Sequence, residues 1–226
     1  MWNTIAGVIA AVALALYLLA RYRRDREQRR REPERFFRRA TEVLAAARLE
    51  DTGSIGLPRL TGSYGGHAVQ VLPVVDTLAT RRLPALWLLV TIQDALPVAA
   101  RLDLMMRPAG PTTFSNFDLL PITIERPVDF PEYAVLRTDN PEQCLPPHVV
   151  QPHLGVFENS RAKELLIAPN GVRIVWLLAE GSRARYGVFR EADFGAVDLD
   201  PELLRGLLDR LVELRKSILD WSRRRA

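Results

Sequence analysis

The sequence predicts an α+β protein: a single N-terminal transmembrane helix, then a mainly antiparallel β-sheet domain covered by a C-terminal amphipathic helix. Three observations carry this expectation. Residues 2–20 are almost uninterruptedly apolar and run directly into an arginine-rich stretch. Between about 55 and 189, short apolar or alternating runs are separated by glycine, proline and asparagine turns. From Asp200 onward, leucines recur at helical spacing.

The first element is the run Trp2–Ala20. At a rise of about 1.5 Å per residue it reaches about 28 Å, close to the hydrocarbon thickness of a bilayer. Trp2 and Tyr22 suit the two interfaces, and Asn3 and Thr4 lie at an end, where polar groups cost least. A cleaved secretory signal would carry positive charge before the apolar run and a small-residue cleavage site after it. Here the charge comes after the run and "LLARYRR" offers no such site, so an uncleaved anchor is expected.

The next stretch fixes the orientation. Ten arginines between Arg21 and Arg39 face only Asp25, Glu27, Glu32 and Glu34, a local net charge of +6 within a whole-chain charge of +4. Arginine beside a span is retained on the cytoplasmic side. The expected location is therefore the inner membrane, with the N-terminus outside and the following domain cytoplasmic. The same cluster attracts anionic lipid, by about 1 kcal/mol per residue near the surface. Its expected contacts are Arg21, Tyr22, Arg23, Arg24, Arg26, Arg29, Arg30, Arg31, Arg35, Phe36, Phe37, Arg38 and Arg39. Pro33 suits the first turn of a new helix, which would place Phe36, Ala40, Val43, Leu44 and Ala47 on one face, either to lie on the membrane surface or to pack on the domain with only the arginines at lipid or water. Retention at the membrane already accounts for the arginines, so nucleic acid is not an expected partner. The predicted organisation is an anchor (1–20), a basic juxtamembrane collar with its amphipathic helix (21–50), and a cytoplasmic α+β domain (51–226).

In that domain, Gly65-Gly66 between two apolar runs reads as a hairpin turn. "PALWLLVTI" (84–92) is too short to cross a membrane and reads as a central strand buried on both faces. "ARLDLMMR" alternates, with Leu102, Leu104 and Met106 on one face and Arg101, Asp103 and Met105 on the other. Residues 108–152 are rich in proline, with short strands expected near 122–126 and 133–137. Asn170-Gly171 marks a second hairpin, and a further strand is expected over 184–189. Asp200 and Pro201 are an N-cap and first-turn pair. The stripe of Leu204, Leu207, Leu211, Leu214, Ile218 and Trp221 is widened by Leu203, Leu208, Val212 and Leu219. Such breadth predicts packing on a sheet rather than a two-stranded coiled coil.

A hydrophobic fraction of 48% and a charged fraction of 26% over 226 residues describe a folded chain. Cys144 is the single cysteine, which excludes an internal disulfide and fits a reducing compartment. Two lysines against 29 arginines reflect a GC-rich genome more simply than selection for phosphate. Asp193-Phe194-Gly195 matches a kinase triplet without the glycine-rich loop, strand lysine or catalytic loop that must accompany it. Cys144, His148 and His153 are too few, on a proline-broken segment, for a zinc site. "GSYGGH" has neither phosphate-loop spacing. Asp198 and Asp200 could suggest a metal-binding pair, but Asp200 is already explained as a cap. No metal, cofactor or catalytic residue is expected.

These features predict a single-pass, cytoplasm-facing interaction protein, a non-catalytic accessory or structural subunit of a bacterial membrane complex with a membrane-protein partner. The alternatives are a membrane-surface hydrolase using Cys144, or a lipid- or ligand-binding module with a cavity between sheet and helix.

Overall fold

The structure, a computed structural model, describes Leu14, Tyr17 and residues 35–52, 57–76, 83–181 and 194–225. Apart from Leu14 and Tyr17, the expected span 2–20 lies outside these, as do the collar residues Arg21–Arg31 and the strand expected at 184–189. Among the described residues no helix is long and apolar enough to cross a membrane.

Among the described residues, alternation of apolar side chains generates nine antiparallel strands, in the order β1-β2-β3-β4-β9-β8-β5-β7-β6. They are β1 (Ala45–Glu50), β2 (Arg59–Tyr64), β3 (His67–Asp76), β4 (Ala85–Ile92), β5 (Leu102–Met106), β6 (Ile122–Ile124), β7 (Ala134–Thr138), β8 (Ala162–Ala168) and β9 (Gly171–Glu180). A short helix α1 (Pro147–Val150) and a 3-10 stretch (Gln151–Glu158) precede β8, and helix α2 (Pro201–Arg223) closes the domain. Both expected hairpins form. Gly65 and Gly66 adopt φ of 57° and 85°, which glycine reaches without steric cost. At the second turn Ala168 pairs with Gly171, so the two loop residues are Pro169 and Asn170, not Asn170 and Gly171.

Gly171 is required for another reason. Its φ is 147°, and a Cβ there would lie 2.0 Å from the Ile92 carbonyl oxygen. The glycine lets β9 pass directly beside the end of β4.

Asp200 caps α2, its side chain accepting from the Glu202 N–H, with Pro201 in the first turn. Leu204, Leu207, Leu208, Leu211, Leu214 and Ile218 are buried against one sheet face, where they meet Leu60, Val71, Leu88, Val90 and Ile92. The sheet's other face has its own smaller core: Leu89, Met105, Phe114, Phe117 and Val175, with Trp87 packed against it. The rings of Trp87 and Phe114 are 4.7 Å apart. Strand β4 therefore faces a core on both sides, which is why its sequence is continuously apolar.

The segment after Pro33 departs from expectation. Residues 35–37 are helical, but Ala40–Val43 form a 3-10 turn and Ala45–Glu50 run as a strand beside β2. Ala47 is thus in a strand. Alanine favours helix, but the ladder of long-range hydrogen bonds to β2 outweighs local propensity. Gly62 permits the approach, because a Cβ there would come within 2.9 Å of both the Ala45 carbonyl oxygen and Leu44 Cβ.

A second correction concerns Phe36 and Phe37. Expected at lipid, they are 3% and 0% exposed and sit in the α2-side core. The Phe36 carbonyl also accepts from the Leu199 N–H at 2.9 Å. Burying two aromatic side chains stabilises by about 1.5–3 kcal/mol each, well above any surface contact of one residue. Arg35, Arg38 and Arg39 remain exposed, Arg35 lying 3.4 Å from Asp198.

Candidate functional site

Strand register builds one polar constellation on the α2 side. Val69 of β3 pairs with Ile92 of β4. Two residues beyond this pair, at the start of β3 and just past the end of β4, stand His67 and Asp94. Their side chains meet at 2.5 Å, Nδ1 to Oδ2. A carboxylate only accepts, so the ring's Nδ1 carries the proton donated to Asp94, and Nε2 is its other polar position. Asp94 Oδ1 also accepts from the Ala68 N–H at 3.4 Å. From α2, Arg215 Nε lies 3.2 Å from Asp94 Oδ2, an ion pair off the hydrogen-bond axis. His67, Asp94 and Arg215 are 23%, 22% and 19% exposed, so the triad is shielded but open to one side.

That side is a cleft of about 270 Å³ lined by His67, Val212, Arg215, Lys216, Leu219, Asp220 and Arg223. The spacing 212, 216, 219/220, 223 places the α2 residues on one helical face. Nearby, Tyr64 at the end of β2 donates its hydroxyl to Asp209 Oδ1 at 2.7 Å, pinning the same flank of α2. The bond to Asp209 raises the Tyr64 pKa, and burial adds to it.

The opposite face holds a different cluster. Pairing runs Arg137–Asp103–Leu166–Arg173 across β7, β5, β8 and β9, with Met105–Glu164–Val175 in the adjoining row. Among the described residues Asp103, Thr138 and Glu164 are the buried polar side chains. Glu164 Oε1 accepts from Arg173 Nη2 at 3.0 Å. Desolvation, then the Glu164 charge, pushes Asp103 up to about 8, with Arg173 opposing. Desolvation also raises Glu164, against the pull of Arg173, Ser115 and Lys163. Arg173 hydrogen-bonds Glu164, whereas Asp103 Oδ1 has no such partner, so burial favours the proton on Asp103. Arg137 is committed elsewhere: it stacks 4.9 Å from the Phe117 centroid and lies 3.5 Å from Asp118.

The candidate nucleophile and the histidines do not assemble. Cys144 Sγ donates to the Leu145 carbonyl at 3.5 Å, and burial, the largest effect, raises its pKa. His148 is exposed. His153 Nε2 is 2.9 Å from Ser217 Oγ on α2, and burial lowers its pKa. Ser217 is mid-helix, and the bond clamps the 3-10 stretch to α2. Among the described residues no group of three His, Cys, Asp or Glu side chains could hold a metal ion. Asp193 lies outside the described residues, whereas Phe194 packs on the core.

Sequence reading missed both clusters. His67 and Asp94 are separated by a full hairpin, and Asp103 and Glu164 by more than a third of the domain. The one available sign was a carboxylate at alternating position in each of two apolar strands, Asp103 in "LDLMM" and Glu164 in "AKELLIA". No family model matches the chain, and no curated protein or solved structure matches it.

Proposed function

We propose that this chain is a single-pass, cytoplasm-facing interaction protein anchored in the inner membrane, serving as a non-catalytic accessory subunit of a bacterial membrane complex. The observation that carries the reading is the junction of an apolar run, Trp2–Ala20, with ten arginines in the next 19 residues. A bilayer span followed by a cytoplasmic positive collar accounts for both together. The collar's arginines, with Tyr22, would meet anionic lipid headgroups.

Two features of the domain support a partner. Strand β6 is a short edge strand, its outer backbone groups unpaired within the sheet. Around it Leu119, Ile122, Val128 and Tyr133 are 77%, 36%, 93% and 51% exposed. Edges of this kind accept an added strand from another protein. The elevated Cys144 pKa and the commitment of His153 to Ser217 weigh against a cysteine hydrolase, which needs a thiolate beside an imidazolium.

Gentle extraction in a maltoside detergent, followed by native sizing, tests the proposal. A subunit migrates in an assembly well above the 25.5 kDa of the chain plus its micelle. Migration as a monomer in its micelle contradicts it.

A further inference from the structure

We propose that the cleft between α2 and the β2–β3 hairpin is a binding site for a small phosphate-bearing anion. The inference goes beyond the anchoring and partner reading and does not depend on it.

The cleft is charged on one side and backed by a fixed frame. Arg215, Lys216 and Arg223 bring three cations from one helical face, and His67 adds a ring from β3. Two carboxylates stand against them. Asp94 is engaged by His67, the Ala68 N–H and Arg215 behind the cleft. Asp220 lies 3.5 Å from Arg223, an exposed pair that water screens. Lys216 has no partner among the described residues, and Arg215 is held through Nε alone, which leaves its terminal fork unused. A guanidinium fork beside an ammonium is the donor set that phosphate oxygens take.

Preorganisation separates this cleft from an ordinary basic surface. Arg215 and His67 are about four-fifths buried, and the carboxylate between them fixes both orientations. Little side-chain freedom is then lost on binding. The volume of about 270 Å³ sets the size of the occupant. It lies just below the usual range for drug-sized ligands, roughly 300–1,000 Å³, so it suits a phosphate or a phosphorylated three-carbon unit. Val212 and Leu219 supply an apolar wall for such carbons. A free phosphomonoester and the headgroup of phosphatidic acid share this chemistry.

The test follows the imidazole NMR signals of the full chain in maltoside micelles while inorganic phosphate is added. His67→Gln identifies the His67 signal among the three histidines. The expected result is a saturable shift of His67, half-complete below about 1 mM. His148 and His153 should stay still. In the double variant Lys216→Gln/Arg223→Gln, whose side chains are exposed and whose fold is checked by its melting curve, half-saturation should weaken at least about tenfold. A second arm uses nanodiscs of phosphatidylcholine with or without phosphatidic acid. A His67 signal already shifted only in the phosphatidic acid discs assigns the site to lipid. One unshifted in both discs until phosphate is added assigns it to a free phosphate. Failure of His67 to move in every arm up to about 20 mM phosphate overturns the proposal. So does an equal drift of all three histidines, or an unchanged response in the double variant.

Discussion

Replacing Asp103 with asparagine should make the protein more stable at neutral pH and should remove much of its pH dependence. Asp103 is 2% exposed, and burial with the adjoining Glu164 lifts its pKa from 3.8 to about 8. In the unfolded chain the group gives up its proton near its ordinary value, whereas the folded chain holds it to about 8. Between these limits the folded state binds one more proton, so stability falls by about 1.4 kcal/mol per pH unit as pH rises. This loss begins above pH 4 and levels off above 8. Across the full window the limit is about 5–6 kcal/mol, reduced because Glu164 shares the local field and because water can relax the site. Asparagine has the same shape and never ionises, but its amide must find a partner where Asp103 Oδ1 has none. The net expectation is a gain of about 1–3 kcal/mol at pH 7.5 and no gain, or a small loss, at pH 4.5. Equilibrium urea unfolding at both pH values, followed by circular dichroism, gives the difference directly. An Asp103→Asn deficit of equal size at both pH values would refute a buried, proton-holding carboxyl.

Other positions give sharper structural outcomes. Gly171→Ala should destabilise by more than about 3 kcal/mol, because the new methyl meets the Ile92 carbonyl at a φ that side chains avoid; a thermal melt within a few degrees of wild type would contradict the close β4–β9 passage. Asp200→Ala removes the α2 cap and should cost about 1 kcal/mol by urea unfolding. Cys144 should react with iodoacetamide at pH 8 several-fold more slowly in folded protein than in urea, since burial keeps it a thiol; equal rates would restore it as a candidate nucleophile. Ser217 should remain unlabelled by a fluorophosphonate probe, because its bond to His153 acts as a clamp; stoichiometric labelling would make the pair catalytic.

The fold was legible where local chemistry and tertiary packing agree. Asp200-Pro201 and the leucine stripe specify α2 with its cap, and Gly65-Gly66 specifies a turn whose φ values glycine alone accepts readily. The run from Ala85 to Ile92 reads as a doubly buried strand, and both cores confirm it. Legibility ended where distant partners decide. Residues 45–47 are three alanines, a helical signal locally, yet the pairing of Ala45 and Arg48 with β2 draws them into a strand, with Ala46 and Ala47 in a bulge between the paired residues. Phe36 and Phe37 look amphipathic beside four arginines, and only the run-in to α2 reveals that they belong to the core. The polar clusters were invisible for the same reason. His67 with Asp94, and Asp103 with Glu164, become neighbours only once strand order and register are known, and neither pair has a spacing that sequence could display.

The most direct measurement of the central reading is fractionation of cells carrying the full chain, with the membranes washed in alkaline carbonate. A bilayer span with a cytoplasmic arginine collar predicts full-length protein in the washed membrane pellet. Recovery of the full-length chain in the carbonate supernatant would contradict an embedded anchor.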